Sequence, residues 1–275
     1  MDVICVTVLE DTPLLTISNI NEKDFFGNPI VYTTKDQWGD IMVIDRKECR
    51  VLAFDPVYEQ SCIDLKKPHI PVHEYTRIML LVLAFINPHH ITILGLGGGC
   101  LLHCLNYLLP RCTLFSVELR EKVYQIALDF FRIPTQHNIN VLISDAKLAM
   151  GRCKDRSTQI IFADMYQSYG MNPFQMQKKF IQQCHRVLDD TGWLVVNYHQ
   201  LPEFNSSFIQ CLQCYFAEVF VCPALSGNYI LFARKYSVGA INKHQASVFE
   251  LEKQLNIKLT HLFKRITQIY LKQEV

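Results

Sequence analysis

Three carboxylates and a run of glycines in the middle of the chain are the residues whose types and spacing could do chemistry. Gly95, Gly97, Gly98 and Gly99 follow the apolar run Ile91-Thr92-Ile93-Leu94, and a helix-patterned stretch with Leu101, Leu102, Leu105 and Leu108 follows them. Strand, tight glycine turn and helix bring backbone N–H groups and a helix N-terminus up against a nucleotide-like ligand. A glycine-rich turn also occurs in purely structural loops, so the second signal matters. Glu118 closes the strand-like run Ser116-Val117-Glu118, about 20 residues on, the spacing at which a carboxylate meets ribose hydroxyls. A solvated strand end is the bland alternative for it.

Asp145 and Asp164 complete the set. Asp145 stands just before a short helix-like stretch beginning at Ala146, where an Asp also serves as an N-cap. Capping and ligand contact are compatible. Asp164 ends the apolar run Gln159-Ile160-Ile161-Phe162-Ala163 and opens a loop holding Tyr166, Gln167, Tyr169 and Pro173. A carboxylate at the mouth of a nucleoside site is placed to accept a proton or hold a cationic group; a turn-forming Asp is the structural alternative.

These residues need a scaffold that puts them side by side, and the pattern of elements supplies one. Strands are expected at 91–95, 113–118, 139–143, 159–163 and 193–198, with helices at 99–109, 121–131, near 146–151, at 174–188 and at 204–217, and two final strands near 218–222 and 229–233. Parallel strands with helical crossovers make a doubly wound, Rossmann-like α/β sheet, whose ligands bind beyond the carboxyl ends of the strands. Upstream, Val3–Val8, Leu14–Ile17, Ile30–Thr33, Ile41–Ile44 and Val51–Phe54 read as short strands of an antiparallel β-hairpin unit, and a helix is expected from His73 to Phe85. The division is thus an N-terminal β unit (1–68), a Rossmann-like nucleoside-binding domain (69–240) and a helical tail (241–275), whose Leu251, Leu255, Leu259 and Leu262 recur at helical spacing.

Composition narrows the function classes. With 275 residues, 49% hydrophobic and 19% charged, the chain is a folded globular protein, and its formal net charge of +1 gives no reason to expect nucleic acid or an anionic membrane as partner. The N-terminus lacks the pattern of a signal peptide, and the apolar run Ile78–Ile86 is too short to span a bilayer, so a cytoplasmic location is expected. The 11 cysteines are odd in number and lie largely in apolar patterns; Cys211 and Cys214 form a CxxC with no second pair to complete a zinc site. Packing cysteines and no metal site are the expectation.

Taken together, these pieces resemble the spermidine synthase (polyamine aminopropyltransferase) family, on the class I methyltransferase-like fold. The likeness runs from about Tyr32 to Ala233 through Trp38-Gly39-Asp40-Ile41-Met42-Val43-Ile44-Asp45, Gln60-Ser61, Tyr75-Thr76-Arg77, the glycine loop, Val117-Glu118, Ser144-Asp145-Ala146, Ala163-Asp164, Asp190-Thr191-Gly192-Trp193 and Ser226-Gly227-Asn228. It looks closest to a bacterial branch with Gly-Leu-Gly-Gly-Gly in the loop. The resemblance implies that Glu118 holds the ribose hydroxyls of decarboxylated S-adenosylmethionine or S-adenosylmethionine, with no tightly bound cofactor. Asp145 and Ala146 would meet the adenine, Gln60 would reach over the cosubstrate from the N-terminal unit, and Gly95, Gly97, Gly98 and Gly99 would line its binding loop. Asp164 would assist deprotonation of the attacking amine, with Glu74, Tyr166 and Gln167 on the acceptor and methylthioadenosine as the leaving product. A small amine substrate and a homodimer built partly on the β unit are implied in the same way.

The chain departs from the family pattern in three places. Gly98 stands where an Asp that contacts the aminopropyl ammonium is usual; Gln167 replaces a second carboxylate after Asp164; and of the acidic cluster before the first main helix only His73-Glu74 remains nearby. Two other functions therefore stay open beside aminopropyl transfer: a methyltransferase using S-adenosylmethionine itself, and a nucleoside-binding module without catalysis. With glycine at 98 in place of a discriminating carboxylate, affinities for the two sulfonium forms are expected to differ by no more than about tenfold.

Overall fold

The structure is a computed structural model that describes residues 23–55, 59–167, 170–200, 203, 206–237 and 239–270. The strands expected at Val3–Val8 and Leu14–Ile17 lie outside the described residues.

The N-terminal part is a four-stranded antiparallel sheet in the order β1 (Ile30–Asp36), β2 (Gly39–Arg46), β3 (Cys49–Ala53) and β4 (Glu59–Asp64). Its inward face carries Ile41, Val43 and Leu52, all fully buried, alternating with more exposed positions as a half-buried strand requires. The turn from β1 to β2 is made by Gly39 at φ 114°, and that turn reaches the functional site. β4 was not expected as a strand, because Glu59-Gln60-Ser61 interrupts any apolar alternation.

After α1 (Glu74–Leu80) the chain enters an eight-stranded sheet. It runs through β5 (His90–Leu94), α2 (Cys100–Leu108), β6 (Thr113–Glu118), α3 (Glu121–Asp129), β7 (Ile139–Ile143), α4 (Ala146–Arg152) and β8 (Thr158–Ala163). Next come the small hairpin β9 (Tyr166–Gln167) and β10 (Gly170–Met171), then α5 (Lys178–Val187), β11 (Leu188–Tyr198), α6 (Ser207–Tyr215), β12 (Glu218–Pro223) and β13 (Tyr229–Arg234). Strands pair in parallel as β7-β6-β5-β8-β11, and antiparallel as β11-β13-β12. The fold is therefore Rossmann-like, with a smaller antiparallel sheet before it. Successive strands step outward from β5 to β7 on one side and from β8 to β11 on the other, so the order reverses between β5 and β8, where such sheets bind ligands.

The tail is less of an appendage than its polar composition suggests. It forms α7 (Gln245–Leu255), α8 (Thr260–Phe263) and a two-residue strand β14 (Thr267–Gln268), which pairs with β12 and becomes the sheet edge. Asn256, left-handed at φ 52°, ends α7, so the leucine series is shared between two helices. Leu255, Leu259 and Leu262 are fully buried in the same apolar cluster as Ile41, Ile91 and Ile93. One core thus joins parts of all three expected segments.

Candidate active site

The glycine turn is shaped by what presses on it. Gly95, at φ 94°, follows β5 where the chain lies tight against the end of its parallel neighbour β8: a Cβ there would sit 2.2 Å from the backbone oxygen of Asp164. Gly97 and Gly99 also adopt positive φ, and a Cβ on Gly99 would strike Ile133 at 2.2 Å. Only glycine allows this combination of backbone angle and approach. The loop lets the first turn of α2 close over the sheet and turns the N–H groups of Leu96 and Gly97 toward Glu118.

Glu118, at the end of β6, is almost fully buried. Its carboxylate accepts from the N–H groups of Leu96 (3.0 Å), Gly97 (3.4 Å) and Arg120 (2.9 Å). Burial raises its pKa, and the same three hydrogen bonds hold the rise in check. A carboxylate has roughly four lone-pair sites, so room remains for a ligand hydroxyl. Asp145 caps α4 through the N–H groups of Lys147 (2.7 Å) and Leu148 (3.3 Å) and also lines the cavity, so capping and wall position coexist.

The strand ends surround a cavity of about 460 Å³, the size of a small-molecule site. Gln60, Gly95, Gly97, Glu118, Asp145, Ala146, Asp164 and Tyr166, all among the expected positions, line it. Its roof is the β1–β2 turn with Trp38, and that roof is pinned by a contact that sequence reasoning missed. Arg120 binds Asp36 with both ends of its guanidinium (2.9 and 2.8 Å), donates to the Gly39 carbonyl (2.8 Å), and lies 4.4 Å from the Phe54 ring centroid. The signal available was an arginine two residues after the ribose-type carboxylate, but nothing in the sequence names its partner.

Asp164 lies at the foot of the cavity, where removal from water pushes its carboxyl up to about 6 against hydrogen bonds from Asn197 and Tyr75. Asn197, buried at the end of β11, donates to Asp164 at 2.9 Å, and its own side-chain oxygen accepts from Asn228 at 2.9 Å. Ser226 in turn donates to Asn228 at 2.8 Å. The Tyr166 hydroxyl donates to the Asn197 carbonyl at 3.1 Å. Asp164 is therefore held by an uncharged amide chain, with an unusually high pKa for an Asp.

Three expected positions are not at the cavity wall, and of a fourth only the backbone is described. Gly98 donates its N–H to the Ser61 hydroxyl (2.9 Å), and a Cβ on it would meet Ser61 at 3.0 Å and the Phe131 ring at 3.1 Å. A side chain at 98 thus starts toward the packing under the loop, which removes the geometric ground for expecting this position alone to set selectivity. Gly99 caps α2 against Ile133. Glu74 accepts from Arg265 (2.9 Å) and from the Leu225 N–H (2.5 Å), so its charge is committed away from the cavity. For Gln167 only the backbone, paired with Gly170, is described. Among the described residues no group of His, Cys, Asp and Glu could hold a metal, and no helix is long and apolar enough to cross a membrane.

No family model matches the chain. It is 26% identical over 216 residues to a polyamine aminopropyltransferase from Vibrio vulnificus, covering 74% of this chain and 71% of that one. A probable spermidine synthase from Corynebacterium glutamicum superposes with a TM-score of 0.71 at 20% identity, covering 88% of this chain and 91% of the other. In sequence and in fold the chain resembles the spermidine synthase (polyamine aminopropyltransferase) family. A spermidine synthase solved in complex with the transition-state analogue AdoDATO has a TM-score of 0.63 at 14% identity, over 86% of this chain and 82% of its own. At that identity the likeness speaks for the shared spermidine synthase fold. The roles of individual residues rest on the geometry above.

Proposed function

We propose that this protein is a transferase that binds decarboxylated S-adenosylmethionine, or a related adenosyl sulfonium, and moves its aminopropyl group to a small amine. The observation that carries the reading is Asp164: a carboxylate of raised pKa at the foot of a nucleoside-sized cavity, across the glycine loop from Glu118. In this reading Glu118 accepts from the ribose hydroxyls, Asp145 and Ala146 border the base, and Gln60 and Trp38 cover the cosubstrate. The amine nitrogen forms a bond to the aminopropyl carbon as the carbon–sulfur bond breaks. Its electron pair goes to sulfur, leaving neutral methylthioadenosine, and the proton shed by nitrogen passes to Asp164 and then to water. A base with a pKa near 6 is ionised at neutral pH yet still basic enough to take that proton. The names of the curated relatives support the reaction type.

Methyl transfer from S-adenosylmethionine is the second reading. It draws on the glycine loop as a whole, since residues 95–99 carry no carboxylate to repel a methionine carboxylate. Incubating the protein with each sulfonium and a panel of amines, and identifying the nucleoside product, separates the two. Methylthioadenosine formed from the decarboxylated compound supports aminopropyl transfer; S-adenosylhomocysteine formed from S-adenosylmethionine supports methyl transfer. Neither product, with binding of both compounds intact, leaves the non-catalytic reading.

A further inference from the structure

We propose that the acceptor is a monoamine, one basic nitrogen on an uncharged apolar or aromatic body, in place of a diamine or polyamine. This rests on the reading of the cavity as an aminopropyl-transfer site.

Displacement at carbon requires the nucleophile to enter opposite the leaving sulfur. With the nucleoside over β6 and β7, the amine must therefore enter from the side of β8 and β11. The other acidic strand ends are far from that side. At ~4.8 Å per strand step, Glu118 stands about 10 Å and Asp145 about 14 Å from Asp164, across β5. Asp36, in the roof, is neutralised by the paired guanidinium of Arg120.

Among the described residues the wall on the entry side is uncharged. Met165, Tyr166 and Asn172 line it, and Asn197 and Asn228 stand behind them. The Tyr75 and Tyr166 hydroxyls are raised by burial and stay protonated, while burial lowers the pKa of His199, whose ring lies 4.6 Å from that of Tyr166. Among the described residues of 165–175 and 199–206 the one carboxylate is Glu203, which is exposed. Glu74 is committed to Arg265 and to the Leu225 N–H.

One carboxylate, Asp164, can answer one amine. A second ammonium on the same acceptor would leave water to lie against tyrosine rings and amides without a counter-charge, which is unfavourable. An apolar or aromatic body loses nothing by the same transfer and gains contact with Tyr166 and Met165.

The proposal is tested by calorimetry on the full chain saturated with methylthioadenosine, at pH 7.5, titrating phenethylamine, hexylamine and 1,6-diaminohexane. At least one monoamine should bind tenfold or more tightly than the diamine. Asn172→Asp supplies the converse: its side chain already accepts from the Phe174 N–H (2.9 Å), which an Asp also does, so the variant adds a charge to the entry wall and keeps the cap. It should raise diamine affinity at least tenfold, and by a larger factor than it raises the affinity of either monoamine. Diamine binding as tight as or tighter than both monoamines in the wild type overturns the proposal, whatever the variant does, and so does failure of every amine to bind. Monoamine binding in the expected order, with no methylthioadenosine released from decarboxylated S-adenosylmethionine, leaves the amine preference standing and overturns the transfer reading.

Discussion

Asp164 and Glu118 are two carboxylates whose pKa burial raises alike, set apart by the donors around them. Asp164 has few donors and a pKa of about 6, above the 3.8 of an unperturbed Asp. Its neutral form is favoured by the fold, so its contribution to stability is complete below about 3.8 and is lost as pH rises through about 6. Asp164→Asn should therefore abolish transfer and yet stabilise the protein by ~1–3 kcal/mol at pH 8, with no gain at pH 3.5. Thermal melts at the two pH values check this; a variant less stable than wild type at pH 8 contradicts it. Wild-type kcat/KM should rise with pH with a midpoint near 6, as the base form appears. Glu118 is different, since three backbone N–H groups point at it. Glu118→Gln turns an amide NH2 toward those donors. It should weaken methylthioadenosine binding 10- to 100-fold and also lower stability by ~1–3 kcal/mol. Calorimetry and melting read the two losses separately; unchanged affinity would mean that Glu118 serves the loop alone.

At the level of elements, the parallel strands and the carboxylates at their ends were legible because hydrophobic runs, glycines and acids recur at strand exits in fixed order. The glycine loop, Glu118, Asp145 and Asp164 needed only that order to meet around one cavity. What was not legible depends on contacts between distant segments. Asp36 and Arg120 are 84 residues apart, and nothing local marks either as the other's partner. Gly98 carries a motif position, but its direction depends on Phe131 and Ser61 packing beneath it. β4 was hidden by its polar residues. The Asp36–Arg120 pair is largely buried, with side chains 11% and 6% exposed, and breaking such a pair by removing one partner costs about 3–5 kcal/mol. Arg120→Met should destabilise the protein toward that range and raise KM for the nucleoside more than it lowers kcat, because it frees the roof and leaves Asp164 untouched. Asp36→Asn with Arg120→Met should recover part of the stability. A double variant no more stable than Arg120→Met would show that the charge left on Asp36 is not the cost.

For the whole molecule, the sheet is bounded by the tail, and the tail is connected to the reacting end of the cavity by a continuous set of hydrogen bonds. Arg265 binds Glu74 at 2.9 Å and the Pro223 carbonyl; Glu74 accepts from the Leu225 N–H at 2.5 Å. The turn so held closes through Ala224 N–H to the Asn228 carbonyl at 2.7 Å and presents the Asn228 side chain to Asn197, which donates to Asp164. Loss of Arg265 leaves Glu74, a partly buried charge, without its cation and frees the turn that aims Asn228. Arg265→Met should cost ~1–2 kcal/mol in stability, between the values for exposed and buried pairs. Its distinguishing effect should be on chemistry. With the amide chain loosened, Asp164 loses a hydrogen bond to its ionised form, so the midpoint of the kcat/KM profile should move above 6 while nucleoside affinity at the Glu118 end stays unchanged. Arg265→Lys keeps the charge at Glu74 and should restore much of the wild-type profile. A pH profile and kcat identical to wild type in Arg265→Met, with stability alone reduced, would confine the tail to a packing role.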